Sequence, residues 1–151
     1  MASSKTTMPL LAQYHNATDV ESAFYEALRE GDLDHVMACF ALDDHVFCIH
    51  GDGMRVMGRE PVRDLFDAIL GNGPLRITTE RVHVIEMGDT AIHSLVERVE
   101  LLGSDGPTVG FLRVTNVYQK TTMGWRLVCH HASSGTTREL EDVVGSPIVL
   151  H

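Results

Sequence analysis

The period of apolar residues changes at Pro74 from mainly helical to extended, and that change limits what the chain can fold into. Before it, apolar residues recur at helical spacing. Val20, Phe24, Ala27 and Leu28 share one face, Leu33, Val36, Met37 and Phe40 a second, and Val62, Leu65, Phe66, Ile69 and Leu70 a third. Thr18-Asp19-Val20-Glu21 has the capping-box form expected where the first helix opens. Gly31 stops that helix, Asp32 caps the second, and Pro61 falls in the first turn of the third, which Gly71-Asn72-Gly73-Pro74 ends. A short strand over residues 45–50 separates the second helix from the third. After Pro74 the pattern is extended, in runs over residues 75–87, 90–102, 108–120 and 125–134. Met87-Gly88-Asp89, Gly103-Ser104-Asp105-Gly106-Pro107 and Thr121-Thr122-Met123-Gly124 separate them with hairpin chemistry. Helices followed by an antiparallel meander predict an α+β domain whose sheet folds over the helices.

At 151 residues the chain is one domain, with room for a sizeable core. Its 12 Lys and Arg against 21 Asp and Glu give a net charge of −9, which disfavours nucleic acid as a partner. No apolar run approaches the ~18 residues of a membrane span, and the apolar patch near Leu10 is too short for a signal-peptide core. Three cysteines without CxxC spacing fit a reducing compartment, so a cytoplasmic location is expected. Residues 1–16 read as a flexible tail, 17–134 as the domain, and 135–151 as a second tail. That second tail could pack on the domain or on a partner copy, with residues 148–150 able to add a strand.

Standard motifs are absent. Gly51-Asp52-Gly53 is a turn and not a phosphate loop, no nucleophile elbow occurs, and no Cys/His set suggests a metal. His130 and His131 are adjacent on a strand and point to opposite faces. What stands out is polar content on apolar strand faces. His93, Leu95, Glu97, Val99 and Leu101 share one face, Leu112, Val114, Asn116 and Tyr118 another, and Val128, His130 and Ala132 a third. If those faces point inward, Glu97, Asn116 and His130 share a cavity with the makings of an acid/base site. Apolar walls would raise the Glu97 pKa toward neutrality. Glu97 could instead pair with Arg98 or Arg113 across strands, and His130 could be a satisfied core histidine.

Several strings resemble the SnoaL-like group of the nuclear transport factor 2-like superfamily: Gly31-Asp32-Leu33-Asp34, residues 40–50 and Met57-Gly58-Arg59-Glu60-Pro61-Val62. Thr115-Asn116-Val117-Tyr118, Gly124-Trp125-Arg126-Leu127-Val128 and His130-His131-Ala132-Ser133-Ser134 complete the resemblance, which covers residues 18–134. It implies three N-terminal helices packed in the concave face of a strongly curved antiparallel sheet, a cone with an apolar pocket, usually dimeric through the outer sheet face. Against ketosteroid isomerases, which it also resembles, the general base falls at Ile49, the first-helix tyrosine at Phe24 and the protonated acid at Asn116. True steroid-isomerase chemistry is therefore not expected. The last strands resemble the association domain of calcium/calmodulin-dependent kinase II, whose pocket arginines fall at Glu97, Asn116 and Ala132.

The resulting expectation is a pocket for a small, largely apolar molecule, with cofactor-independent isomerase, dehydratase or cyclase chemistry. Glu97 would be general base or acid, His130 its partner or a second acid, and Asn116 the oxyanion donor. Phe24, Ile49, His50, Leu95, Val114, Tyr118, Val128 and Ala132 would shape the pocket, His131 would face outward toward a dimer partner, and Trp125 would close one end of the sheet. The alternative is a non-catalytic domain that binds a ligand or forms a homo-oligomer. No cofactor, metal, nucleic acid or membrane is expected in either case.

Overall fold

A computed structural model describes residues 13–51, 53–134 and 142–145. The first helix, α1, runs Ala17–Glu30 and is capped by Asn16, whose side-chain oxygen accepts from the Asp19 N–H at 2.8 Å. This displaces the capping box expected at Thr18. Glu21 does not reach back to the helix start; it is buried, with its carboxyl turned toward the sheet. Gly31 ends α1 with φ +70°, its N–H reaching the carbonyls of Ala27 and Leu28. A Cβ there would also sit 3.2 Å from Pro74 Cγ, so glycine is required twice over.

Asp32 caps α2 (Leu33–Cys39), as its position suggested. Two short strands follow, β1 (Phe47–Ile49) and β2 (Arg55–Met57), and then α3 (Arg59–Ile69). At three residues β2 is too short to leave a periodic signal, and it went unforeseen. The Arg59 guanidinium donates to the carbonyls of Phe40 and Ala41, tying the start of α3 to the end of α2.

The long strands are β3 (Arg76–Met87), β4 (Thr90–Gly103), β5 (Gly106–Thr121) and β6 (Gly124–Ser134), within a residue or two of their expected limits. Six strands form one curled sheet in the order β2-β1-β6-β5-β4-β3. Neighbours are antiparallel except β1, which runs parallel to β6. The helices pack in the concave face: Val20, Phe24 and Leu28 of α1 meet Leu95, Val114 and Leu127 in one continuous core. That is the cone-like α+β architecture expected. Trp125 donates its backbone N–H to the Tyr14 carbonyl, holding the entry to α1 against the start of β6.

Two local features re-aim side chains. In β6 the register shifts opposite Val117 and Tyr118, so Tyr118 pairs with Leu127 and Val117 with Cys129. Leu127 takes the inward place and is fully buried, while Val128, expected on the inner face, is left half-buried. In β1 the alternation sends Cys48 inward, opposite His130, and Ile49 to the other face, opposite His131. The expected pocket role of Ile49 is corrected accordingly. The expectations for residues 1–12, 135–141 and 146–151, including the strand over 148–150, lie outside the described residues.

Candidate functional site

Glu97, Asn116 and His130 do converge. Each lies on the concave face of its strand, and Asn116 pairs in register with both His93 on β4 and His130 on β6. All three are buried, at 2%, 0% and 1% exposure. His130 Nδ1 lies 2.6 Å from Asn116 Oδ1, and His130 Nε2 lies 3.8 Å from Glu97 Oε2. The second distance is too long for a direct hydrogen bond, so these two atoms do not satisfy each other. Arg98 and Arg113, the alternative partners for Glu97, engage Glu100 at 3.1 Å and Asp142 at 3.5 Å.

The strand pattern, which placed His93 and Tyr118 on these inner faces, did not disclose the polar residues of α1 that they meet. The Tyr25 hydroxyl donates to Glu97 Oε2 at 2.7 Å and accepts from the Asn116 amide at 3.2 Å. One turn earlier on the same helix, Glu21 Oε1 accepts from the Tyr118 hydroxyl at 2.6 Å and from Asn116 Nδ2 at 3.4 Å. His93 Nδ1 lies 3.0 Å from that same oxygen. Among the described residues His93 Nε2 is the buried side-chain polar atom without a partner. Phe24, where the resemblance set a tyrosine, carries no hydroxyl, whereas the next residue, Tyr25, reaches the centre. Asn116 spends its amide N–H groups on Glu21 and Tyr25, so the oxyanion-donor role expected of it is not available in this arrangement.

Burial decides the protonation states. Desolvation raises the Glu97 carboxyl from 4.5 to about 7; the Tyr25 hydrogen bond opposes the rise and the charge of Glu21 adds to it. Desolvation lowers His130 from 6.5 to about 3, helped by His50 and His131, so the imidazole is neutral at pH 7. The aromatic rings around it explain the penalty: Phe24 at 5.3 Å and Phe66 at 6.0 Å between centroids. The Glu97–His130 contact is thus not an ion pair, despite its geometry, and the role of second acid expected of His130 does not suit a neutral ring. Tyr25 and Tyr118 are pushed well above their ordinary values, first by burial, and remain donors.

Glu97 and His130 line a cavity of about 130 Å³. Its apolar wall comes from Leu28 on α1, Phe66 and Ile69 on α3, Leu75 just before β3, Ile77 on β3, Val99 on β4 and Leu112 on β5. His50 completes it, as expected, and also lines a second pocket with Met54, Val56 and Leu65. Phe24, Leu95, Val114 and Ala132, expected to line the pocket, belong instead to the buried core, and Tyr118, also expected there, is buried with its hydroxyl on Glu21. The wall residues of α3 and β3 carried no distinguishing signal, since a cavity-lining Leu and a core Leu read alike in sequence. His131 is exposed on the outer face. Among the described residues no group of three or more His, Cys, Asp or Glu is placed to hold a metal, and no helix is long and apolar enough to cross a membrane.

Comparison with solved structures places this arrangement among known folds. A candidate calcium/calmodulin-dependent protein kinase type II association domain from Thiobacillus denitrificans is similar at 34% identity and a TM-score of 0.75, over 83% of this chain and 99% of that one. A candidate dehydratase of the nuclear transport factor 2-like family from Streptomyces avermitilis is similar at 26% identity and a TM-score of 0.71, over 78% of this chain and 93% of that one. A protein of unknown function with a cystatin-like fold from Nostoc punctiforme shares the fold at 19% identity and a TM-score of 0.65, over 83% of this chain and 97% of that one. Comparison with curated proteins gives no match. The family model for the SnoaL-like domain matches residues 18–137, and with the cone-like fold this shows that the chain belongs to the SnoaL-like family of the nuclear transport factor 2-like superfamily.

Proposed function

We propose that this protein catalyses proton transfer on a small, largely apolar molecule with its own side chains alone, as an isomerase, dehydratase or cyclase. The observation that carries the proposal is Glu97: a buried carboxyl with a pKa of about 7 at the wall of an apolar cavity, beside a neutral imidazole. A group titrating near neutrality is present in both forms, so it can take a proton from one substrate atom and return one to another. His130, with Nε2 toward Glu97, would accept a hydrogen bond from a substrate hydroxyl. The cavity sets the size of that substrate. A dry cavity of roughly 150 Å³ holds benzene, so the slightly smaller inner space of about 130 Å³ suits a unit of no more than about six non-hydrogen atoms, with any remainder directed past His50. The similarity to a candidate dehydratase from Streptomyces avermitilis supports this class.

The test is turnover, by the wild type and by Glu97→Gln, of small β-hydroxy carbonyl compounds, which would lose water, and of small β,γ-unsaturated ketones, which would isomerise. The variant should lose on the order of 10²–10⁴ in kcat/KM, the range ascribed to a positioned acid or base. Undiminished turnover by the variant would end the proposal.

A second reading has its own support. The Thiobacillus denitrificans protein is named as an association domain, and this chain exposes Val82, Val84, Ile85 and Met87 on β3. Leu101, Leu102 and Val109 are also exposed, at the β4–β5 hairpin. On this reading the chain is a homo-oligomerisation domain that pairs through its outer sheet face. Light scattering on the wild type and on Val84→Glu tests it: an oligomer that the charge breaks supports the reading, and a wild-type monomer at micromolar concentration removes it.

A further inference from the structure

We propose that Glu21 is a positioning residue that selects the tautomer of His130, acting through the Asn116 amide. The catalytic meaning of this rests on the proton-transfer reading above, but the tautomer itself does not. An asparagine amide between two groups can sit either way round, and its neighbours decide. On one side of Asn116 is Glu21 Oε1, which already accepts from the Tyr118 hydroxyl and faces His93 Nδ1. It offers lone pairs only, so the amide presents Nδ2 to it. The carbonyl Oδ1 is thereby turned to His130, 2.6 Å from Nδ1. A carbonyl can only accept, so Nδ1 carries the proton of the neutral ring and Nε2 is left as a lone pair toward Glu97.

Tyr25 cannot enforce this alone. Its hydroxyl now donates to Glu97 and accepts from Asn116, but it could reverse and donate to a flipped amide oxygen. A carboxylate has no such second choice. Reversing Asn116 would set two acceptors face to face at Glu21, and at His130 it would oblige the ring to take the Nε2–H form. Glu21 is in turn held in place by Tyr118 and His93. The unpartnered buried nitrogen of His93 fits the same pattern: with the His93 proton on Nδ1 toward Glu21, Nε2 is the bare nitrogen. The titratable groups facing the Glu97–His130 pair are Glu21 and Tyr25 from α1 and His50 after β1, with His131 adjacent on β6.

The experiment is nitrogen-detected NMR of the histidine rings at neutral pH, on the full chain without ligand. In the wild type the His130 proton is expected on Nδ1. In Glu21→Gln the new amide can present N–H as well as its carbonyl to Asn116, so the Nε2–H form of His130 should appear beside the Nδ1–H form. Glu21→Asp, which withdraws the carboxylate by one methylene, should give a mixture. A wild type protonated on Nε2 overturns the proposal without any variant. So does a folded Glu21→Gln protein that keeps the proton on Nδ1. If Glu97→Gln proves fully active while the tautomer responds as expected, the proton-transfer reading fails and the positioning role of Glu21 stands.

Discussion

The Tyr25 hydroxyl donates to Glu97 Oε2 at 2.7 Å, joining the first helix to the middle of β4 across 72 residues of sequence. This bond stabilises the charged form of Glu97 and is the influence that holds its pKa down to about 7 against burial and the charge of Glu21. Tyr25→Phe should therefore raise the Glu97 pKa further. Removing one partner of a buried hydrogen bond should also cost about 1–3 kcal/mol of stability. Carbon-detected titration of the Glu97 carboxyl checks the direction. A fall in that pKa would show that the bond does not govern it.

Stability should respond to pH in a way that separates Glu97 from His130. Folded Glu97 keeps its proton up to about 7 where the ordinary value is 4.5, so its contribution is complete below 4.5 and is lost as pH rises through about 7. Folded His130 releases its proton down to about 3 instead of 6.5, so its contribution is complete above 6.5 and is lost as pH falls through about 3. Between 4.5 and 6.5 the two slopes oppose each other. The difference in unfolding free energy between wild type and Glu97→Gln should thus change across this window, with the variant gaining on the wild type by about 1.4 kcal/mol per pH unit at most. Urea unfolding at several pH values measures it. Parallel curves for the two proteins would rule out a raised carboxyl pKa at Glu97.

The start of α1 offers a direct contest between two caps. Asn16→Ala removes the side-chain acceptor for the Asp19 N–H and should cost about 1 kcal/mol. Thr18→Ala, at the residue whose spacing suggested the cap, should be within about 0.5 kcal/mol of neutral, like most surface changes. A larger loss at Thr18 than at Asn16 would reverse the assignment.

The cavity wall should be adjustable without loss of the fold. Leu112 lines the space and is half-buried, so Leu112→Trp should fill it and abolish binding of any small ligand. Leu112→Ala should enlarge it, at a cost of roughly 1–3 kcal/mol, below the full range for a fully buried leucine. Thermal-shift screening of both variants against benzene-sized alcohols, ketones and acids checks this. Equal shifts for the Trp variant and the wild type would place the ligand elsewhere.

The parts of the site that were legible in sequence are those where a single residue breaks a period. Glu97, Asn116 and His130 each interrupt a mainly apolar strand face, that of Glu97 shared with His93, and alternation sends interrupted faces inward with the rest. Glu21 and Tyr25 gave no such signal. On a helix their spacing of four places them on the buried side, but Glu21 was equally readable as the far end of a capping box, and a buried Tyr is ordinary core. Their partners lie on strands 72 to 97 residues away, a separation that no local pattern spans. Val128 and Ile49 were misplaced for a different reason. The bulge at Val128 reverses the faces before it, so that Leu127 is inward while His130 and Ala132 keep their expected side, and Ile49 was placed by resemblance where alternation with the inward Cys48 turns it away.

The polar centre and the cavity wall are carried by different parts of the fold. Glu21, Tyr25, His93, Glu97, Asn116, Tyr118 and His130 all sit on α1 or on the three central strands β4, β5 and β6. Most of the wall comes instead from α3, the approach to β3 and the far reaches of β4 and β5. An aliphatic exchange in that wall changes what fits without touching any hydrogen bond of the centre. On the proton-transfer reading, selectivity and reactivity would therefore diverge independently, because substitutions in α3 alone would change the shape that fits and leave the polar centre intact.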